Sequence, residues 1–197
     1  MSHTAPPPDP SRRTWLTAAT AAGGAGIVAT SAPFIASMAP SERARALGAP
    51  VEVNLKSIRP GELLTVEWRG KPVWILHRTP EMVEATRAHA DRLADPQSQR
   101  PQQPGYARNE LRSIKPEFGV MVAICTHLGC IPSFRPQRGA ADLGEDWPGG
   151  FFCPCHGSKF DFAGRVYRNV PAPSNLEVPS HHYSNASTLL IGVDPKT

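Results

Sequence analysis

The chain has 197 residues, 40% of them hydrophobic and 19% charged, and it contains 22 proline and 16 glycine residues. This length is that of one ordinary domain with modest additions, and the proline and glycine content favours a loop-rich, mainly β protein over a helical bundle, a coiled coil or a collagen. The formal net charge is +4, but the basic residues are scattered and form no runs with interleaved aromatic residues, so no binding to nucleic acid is expected.

An uncharged segment near the N-terminus, residues 15–38, is long enough to cross a membrane as a helix. We interpret it as a transmembrane anchor helix, although Pro33 should kink or end it, and a cleaved targeting peptide or a buried helix has a similar pattern. The sequence around Arg12 and Arg13, SRRTWL, resembles a twin-arginine export signal. Basic residues before an apolar segment also predict that residues 1–14 stay in the cytoplasm and that the remainder is exported.

Residues 39–50 mix proline, glycine, alanine and charged residues and offer too few apolar side chains for a packing face. We interpret them as a flexible hinge, although a plain tether has the same composition.

The remaining residues, 51–197, have the patterns of a β-rich head domain. Strand patterns occupy Val51–Leu55, Leu63–Trp68, Val73–Leu76, Val120–Ile124, Phe151–Phe152 and Ser187–Val193. The sequence RGKP at Arg69–Pro72 predicts a hairpin turn between two of these strands. Thr79 and Pro80 predict the N-cap and first residue of a helix that runs to about Leu93.

All four cysteines lie in two short boxes, CTHLGC at Cys125–Cys130 and CPCHGS at Cys153–Ser158, and each box also contains a histidine. One tetrahedral zinc ion would use only part of this set and leave two cysteines idle, whereas two sulfide-bridged irons need two terminal ligands each. The stoichiometry therefore favours one [2Fe-2S] cluster, and a structural zinc site is the competing interpretation.

In this interpretation one iron takes two thiolates and the other takes two imidazoles, a known ligand set of [2Fe-2S] centres. The predicted metal ligands are Cys125, Cys153, His127 and His156. The two cysteines that remain, Cys130 and Cys155, would form a disulfide between the boxes in an exported protein.

The two boxes resemble those of the Rieske iron-sulfur proteins, and in particular those of the iron-sulfur subunit of ubiquinol-cytochrome c reductase, the cytochrome bc complex. Further segments resemble the head of the same subunit: Trp68–Pro72, His77–Thr79, Pro171–Pro173 and Asn175–Pro179. The resemblance implies a mainly β fold, a Rieske-type antiparallel head with a small cluster-binding subdomain at about residues 120–173, plus one N-terminal transmembrane helix.

The resemblance also implies roles for single residues. His156, with His127 beside it, would contact the quinol and accept its proton, and Ser158 and Gly157 would hydrogen-bond the cluster. Phe160 stands where many mitochondrial relatives have a tyrosine, and without that hydroxyl donor the reduction potential should be lower. The residues implied in a docking surface are Leu128, Gly129 and Pro171.

The implied function is electron transfer in a complex of the bacterial inner membrane, with the head in the periplasm and the N-terminal helix in the lipid bilayer. The chain would take one electron and one proton from ubiquinol. It would pass the electron to a c-type cytochrome subunit, beside a cytochrome b subunit, in a dimeric complex that contributes to proton translocation.

Two other Rieske classes compete with this interpretation. A ferredoxin that feeds an oxygenase is disfavoured by the twin-arginine segment and by the extra cysteine pair. The small subunit of a periplasmic arsenite oxidase is disfavoured by the segments around Trp68 and Pro171.

Overall fold

A computed structural model describes residues 10–195 of the chain. Residues 1–9, most of the predicted cytoplasmic segment 1–14, lie outside the described residues. The chain divides into two compact units, residues 1–46 and residues 47–197.

The described part of the first unit is helical. Helix α1 spans Pro10–Ser37, and the short helix α2 spans Glu42–Leu47 within the segment interpreted as a hinge. Pro33 lies inside α1, which continues to Ser37, so the proline does not end the helix. By length and composition alone, α1 could cross a membrane.

Hydroxyl groups along α1 are paired within the helix. Thr17, Thr20 and Ser31 each donate to the carbonyl four residues earlier, at 2.7–2.9 Å. Ser37 donates to the carbonyl three residues earlier, at 2.7 Å. Because an unpaired polar group is costly in hydrocarbon, these bonds keep a helix rich in small polar residues compatible with a bilayer.

The second unit is mainly β, as the sequence predicted. Its elements are β1 (Val51–Asn54), β2 (Leu63–Trp68), β3 (Lys71–His77), α3 (Pro80–Ala88), β4 (Phe118–Val122), β5 (Ser133–Arg135), β6 (Gly150–Cys153), β7 (Ser158–Phe160), β8 (His181–Tyr183) and β9 (Thr188–Ile191). Short 3-10 turns occupy Leu55–Ser57, Ala90–Arg92 and Gly105–Ala107. The strands form three antiparallel sheets, with the orders β1-β9-β8, β2-β3-β4 and β5-β6-β7.

In the middle sheet, β2-β3-β4, strands β3 and β4 are buried on both faces, whereas β2 is partly exposed. Successive residues of a strand point to opposite faces, so Val73 and Ile75 of β3 pack in one apolar cluster with β1 and β9. Trp74 and Leu76 pack in a second cluster with β6 and β7, where the Trp74 ring stacks on Phe151 with ring centroids 4.6 Å apart. Strand β3 therefore packs on one face against the β1-β9 side of the head and on the other face against the sheet that carries the second cysteine box.

Two local predictions need correction. The β2–β3 turn is only Arg69-Gly70, both with positive φ (52° and 70°), because a two-residue turn of this kind matches the twist of a hairpin; Lys71 already belongs to β3. Thr79 caps α3 as predicted, but α3 ends at Ala88 and a 3-10 turn replaces its predicted last part.

Candidate metal centre

The two cysteine boxes form loops of the same local design, each at the end of a buried strand. In the first loop, after β4, the Gly129 amide donates to the Cys125 carbonyl at 3.0 Å; in the second, between β6 and β7, the Gly157 amide donates to the Cys153 carbonyl at 2.9 Å. Both glycines have φ near +80° (82° and 80°), a conformation that side chains disfavour. A glycine four residues after the cysteine therefore allows each loop to fold back over its own first residue.

The loop cysteines that are free of a disulfide are both buried. Cys125 and Cys153 are each 2% exposed, and neither takes part in a disulfide. Burial, together with the adjacent Cys125 thiol, raises the pKa of Cys153. A metal that binds such a pair must displace the protons, and it supplies the charge that stabilises two thiolates in an apolar interior.

The two histidines lie together on the outer side of the same loops. The rings of His127 and His156 are perpendicular, with centroids 4.8 Å apart. His156 is exposed and His127 is half-buried. The donor set is therefore a buried thiol pair and a more exposed imidazole pair, which fits a binuclear iron-sulfur cluster with two cysteine and two histidine ligands.

A disulfide joins Cys130 of the first loop to Cys155 of the second. The sulfur of Cys153 lies within 4.8 Å of both disulfide sulfurs, but that trio is not a metal site because two of its members are bonded to each other. The disulfide therefore links the two loops next to the free thiol of Cys153.

A third loop, residues 170–174, is tied to both boxes. The Ser158 hydroxyl, fully buried, accepts a hydrogen bond from the Ala172 amide at 2.9 Å. The Thr126 hydroxyl donates to the Ser174 carbonyl at 2.7 Å. The Ser158 proton is thus left for another acceptor, in keeping with its predicted role towards the cluster. Sequence reasoning missed Thr126, for which its place between two predicted ligands was the only signal.

The outer surface of the loops is apolar. Leu128 is 71% exposed and Ile131 is 58% exposed, and Gly129 and Pro171 are exposed as well. Ile131 was not among the predicted docking residues, although an apolar residue directly after the last cysteine of the box was a usable signal. Phe160, in contrast, is fully buried in the core beneath the loops.

Buried arginines hold the segment that follows β7, and sequence reasoning missed them. Arg165 donates to the Asp161 carboxylate at 2.7 Å, and both side chains are buried. The Arg165 guanidinium also donates to the carbonyls of Pro96 and Thr86, at 2.7 and 2.5 Å. The segment that follows the second cysteine loop and β7 is thereby anchored to α3 and to the long loop after it.

A second buried guanidinium, that of Arg112, holds the same segment from the other side. It donates to the carbonyls of Ala163 and Leu176 at 3.2 and 2.6 Å. Burial lowers its pKa to about 10, so it still carries its charge at neutral pH.

Not every predicted residue lies at this centre. Arg12 and Arg13 lie in the first turns of α1, in the other unit. The remaining histidines are not near the boxes in the sequence, and three of them bond backbone carbonyls elsewhere in the head: His77 with Ile58, His181 with Pro179 and His182 with Val193.

Comparisons with known proteins identify the family of the chain. The Rieske [2Fe-2S] domain family matches residues 50–181. The "Ubiquinol-cytochrome c reductase iron-sulfur subunit" of Allochromatium vinosum is 56% identical over 93% of this chain and 88% of its own length. The protein of the same name from Blastochloris viridis is 42% identical over 92% of each chain. Among solved structures, a chain of "Hyperthermophilic respiratory Complex III" is 24% identical over 90% of this chain and 98% of its own, with a TM-score of 0.48.

The chain therefore belongs to the Rieske iron-sulfur proteins and, within them, to the family of ubiquinol-cytochrome c reductase iron-sulfur subunits. Its cofactor is a Rieske [2Fe-2S] cluster. This result favours the iron-sulfur interpretation of the cysteine boxes over structural zinc.

Proposed function

We propose that this chain is the electron-transfer subunit of a quinol-oxidising cytochrome bc complex. The observation that carries the proposal is the buried thiol pair beside an exposed imidazole pair, on two loops joined by a disulfide. The names of the relatives support the class of complex. The proposed ligands are Cys125, Cys153, His127 and His156.

The ligand pairs differ in their surroundings, and this difference supports separate roles for them. When bound, the cluster accepts and releases one electron at a time. The cysteines fix the interior side, where water has no access. His156, exposed at the tip, contacts a quinol hydroxyl and accepts its proton, and His127 lies beside it with its ring perpendicular to that of His156.

The apolar tip supports an apolar partner for this step. Exposed aliphatic side chains such as Leu128 and Ile131 are typical of an interaction surface. We assign them, with Gly129 and Pro171, to docking at the quinol pocket of the cytochrome b subunit, with ubiquinol as the substrate.

The further parts of the proposal concern the whole complex. Helix α1 crosses the bacterial inner membrane once, after export directed by Arg12 and Arg13, and the head lies in the periplasm. Residues 39–50 form a hinge, and the electron passes to a c-type cytochrome subunit. The complex is dimeric, and its quinol oxidation releases protons outside the membrane and so contributes to proton translocation.

Electron paramagnetic resonance of the full chain, purified in detergent and reduced with dithionite, tests the ligand assignment. We expect a [2Fe-2S] signal with the low average g value caused by nitrogen ligands. The variants Cys125→Ser and His127→Gln should lose it, whereas His89→Gln, a histidine outside the boxes, should keep it. A silent protein that contains zinc, or a signal that survives both ligand changes, would refute the assignment.

Co-purification from membranes tests the complex. The chain should be isolated with cytochrome b and a c-type cytochrome, in a preparation that reduces cytochrome c with ubiquinol. Isolation with a molybdenum enzyme instead would point to the arsenite oxidase class.

A further inference from the structure

A recess of about 580 Å³ lies beside the second cysteine loop, and basic side chains line it. Its lining includes Arg92, Lys159 and Arg168, and Gly157 of the loop forms part of its wall. None of the described residues that line it is acidic. We call this feature the basic recess.

Backbone hydrogen bonds between three segments fix the walls of the basic recess. The Arg168 amide donates to the Arg92 carbonyl at 2.9 Å, and the Tyr167 amide donates to the Lys159 carbonyl at 3.1 Å. The Arg168 guanidinium also donates through Nε to the Leu93 carbonyl at 2.9 Å. The three charges are therefore carried on a rigid frame and not on independent loops.

The basic side chains of the recess form no direct ion pair within residues 10–195. No carboxylate of this described part lies within 4.0 Å of Arg92, Lys159 or Arg168. Arg92 donates instead to the Asp146 backbone carbonyl at 3.2 Å, and Lys159 lies over the Trp147 ring at 5.9 Å. Three cationic side chains around one recess, without a directly paired carboxylate, favour an acidic partner.

The position of the basic recess limits which partner it suits. Gly157, in its wall, directly follows His156, the exposed proposed ligand. A neutral quinol and an apolar pocket suit the tip around Leu128, but they gain nothing from three cations. An acidic protein seated on the basic recess would bring its own redox centre close to His156, and short distance is what electron transfer needs.

We propose that the basic recess binds surface carboxylates of the protein that accepts the electron. This inference rests on the proposed function. It adds a basic contact for the acceptor beside the tip that holds His156, whereas the quinol side uses the apolar residues of that tip. Complementary charge of this kind mainly speeds association and fixes orientation.

Charge reversal in the purified complex tests the proposal. Lys159→Glu and Arg92→Glu are compared with Lys56→Glu, an exposed lysine in the 3-10 turn after β1. After rapid mixing with quinol, reduction of the c-type haem is followed by absorbance over a range of ionic strength. The reduction potential of the cluster is measured for each variant.

We expect haem reduction at low salt to slow by about tenfold in the two recess variants, with a salt dependence weaker than that of the wild type or opposite to it. Lys56→Glu should behave like the wild type. Four results would overturn the proposal: unchanged rates, an equal effect of Lys56→Glu, a slower rate fully explained by a shifted potential with normal salt dependence, and competition by inorganic phosphate without any effect of the variants.

The same experiment separates this proposal from the proposed function. If quinol fails to reduce the cluster of the wild-type complex, the proposed function is wrong. If quinol reduces the cluster and the rate of haem reduction is the same in Lys159→Glu, Arg92→Glu and the wild type, only the assigned role of the basic recess is wrong.

Discussion

The Ser158 hydroxyl can accept one hydrogen bond and donate one, and within residues 10–195 it is found only as an acceptor, from the Ala172 amide at 2.9 Å. We predict that it donates its proton to a cluster sulfur. A donor to the cluster stabilises the reduced, more negative state. Ser158→Ala should therefore lower the reduction potential by about 60 mV, the one-electron equivalent of about 1.4 kcal/mol.

The potential is measured by a redox titration followed by circular dichroism. Ser113→Ala is the matched control, because Ser113 is also buried and accepts a hydrogen bond, from Arg78. It should leave the potential unchanged. An unchanged potential in Ser158→Ala would show that this hydroxyl does not serve the cluster.

Asp161 and Arg165 form a buried ion pair, and loss of one partner leaves a buried charge without compensation. Arg165→Gln should lower the free energy of unfolding by about 3–5 kcal/mol. Arg87→Gln removes an arginine from a half-exposed pair with Glu110 and should cost no more than about 1 kcal/mol. Loss of the visible absorbance of the cluster on heating gives the comparison, and equal midpoints for the two variants would contradict it.

At the scale of elements, apolar periodicity located the strands that are buried or long. Val120–Ile124 was predicted from its continuous apolar run, and β4 is in fact Phe118–Val122, buried on both faces. The strands β5, β7 and β8 were not predicted, because each has only three residues and therefore no readable alternation.

In the loops of the site, only the candidate ligands could be predicted, because cysteine and histidine side chains are recognisable metal ligands. The number and spacing of the cysteines and histidines predicted a metal site. In the structure a disulfide joins the two loops that carry them, and the two histidine rings are in contact. The supporting contacts were not predictable. Arg112 donates to carbonyls 51 and 64 residues away, and no local pattern encodes such partners.

The disulfide is the element that joins the two cysteine loops, and it closes a segment with a sequence separation of 25 residues. Closing a segment of this length stabilises a fold by about 3 kcal/mol. The double variant Cys130→Ala, Cys155→Ala should therefore lose its cluster at a lower temperature than the wild type. Because the free thiols remain, the iron content after assembly at low temperature should be near normal. A cluster with unchanged thermal stability would count against this role of the disulfide.

At the scale of the whole molecule, the chain places each type of chemistry in a different part. A helix with internally paired hydroxyl groups suits a bilayer, the buried sulfurs suit a cluster, and the apolar tip and the basic recess suit two partners of different polarity. In the proposed function both partners approach the same exposed ligand, His156, so the head must change position between them. We assign this change to residues 39–50.

That segment, residues 39–50, contains α2, whose six residues are too few for a stable isolated helix. Its ion pair between Glu42 and Arg45 is exposed and adds little. We expect α2 to melt readily and to lengthen the hinge.

Deletion of residues 44–46 shortens the extended reach of this segment by about 10 Å. Turnover of the complex with quinol and cytochrome c should fall at least about tenfold, while the resonance signal and the potential of the cluster stay unchanged. Arg45→Gln, which keeps the length and removes the ion pair, should turn over normally. If the shortened chain works at the wild-type rate, or if Arg45→Gln is equally slow, the length of this segment does not control delivery of the electron.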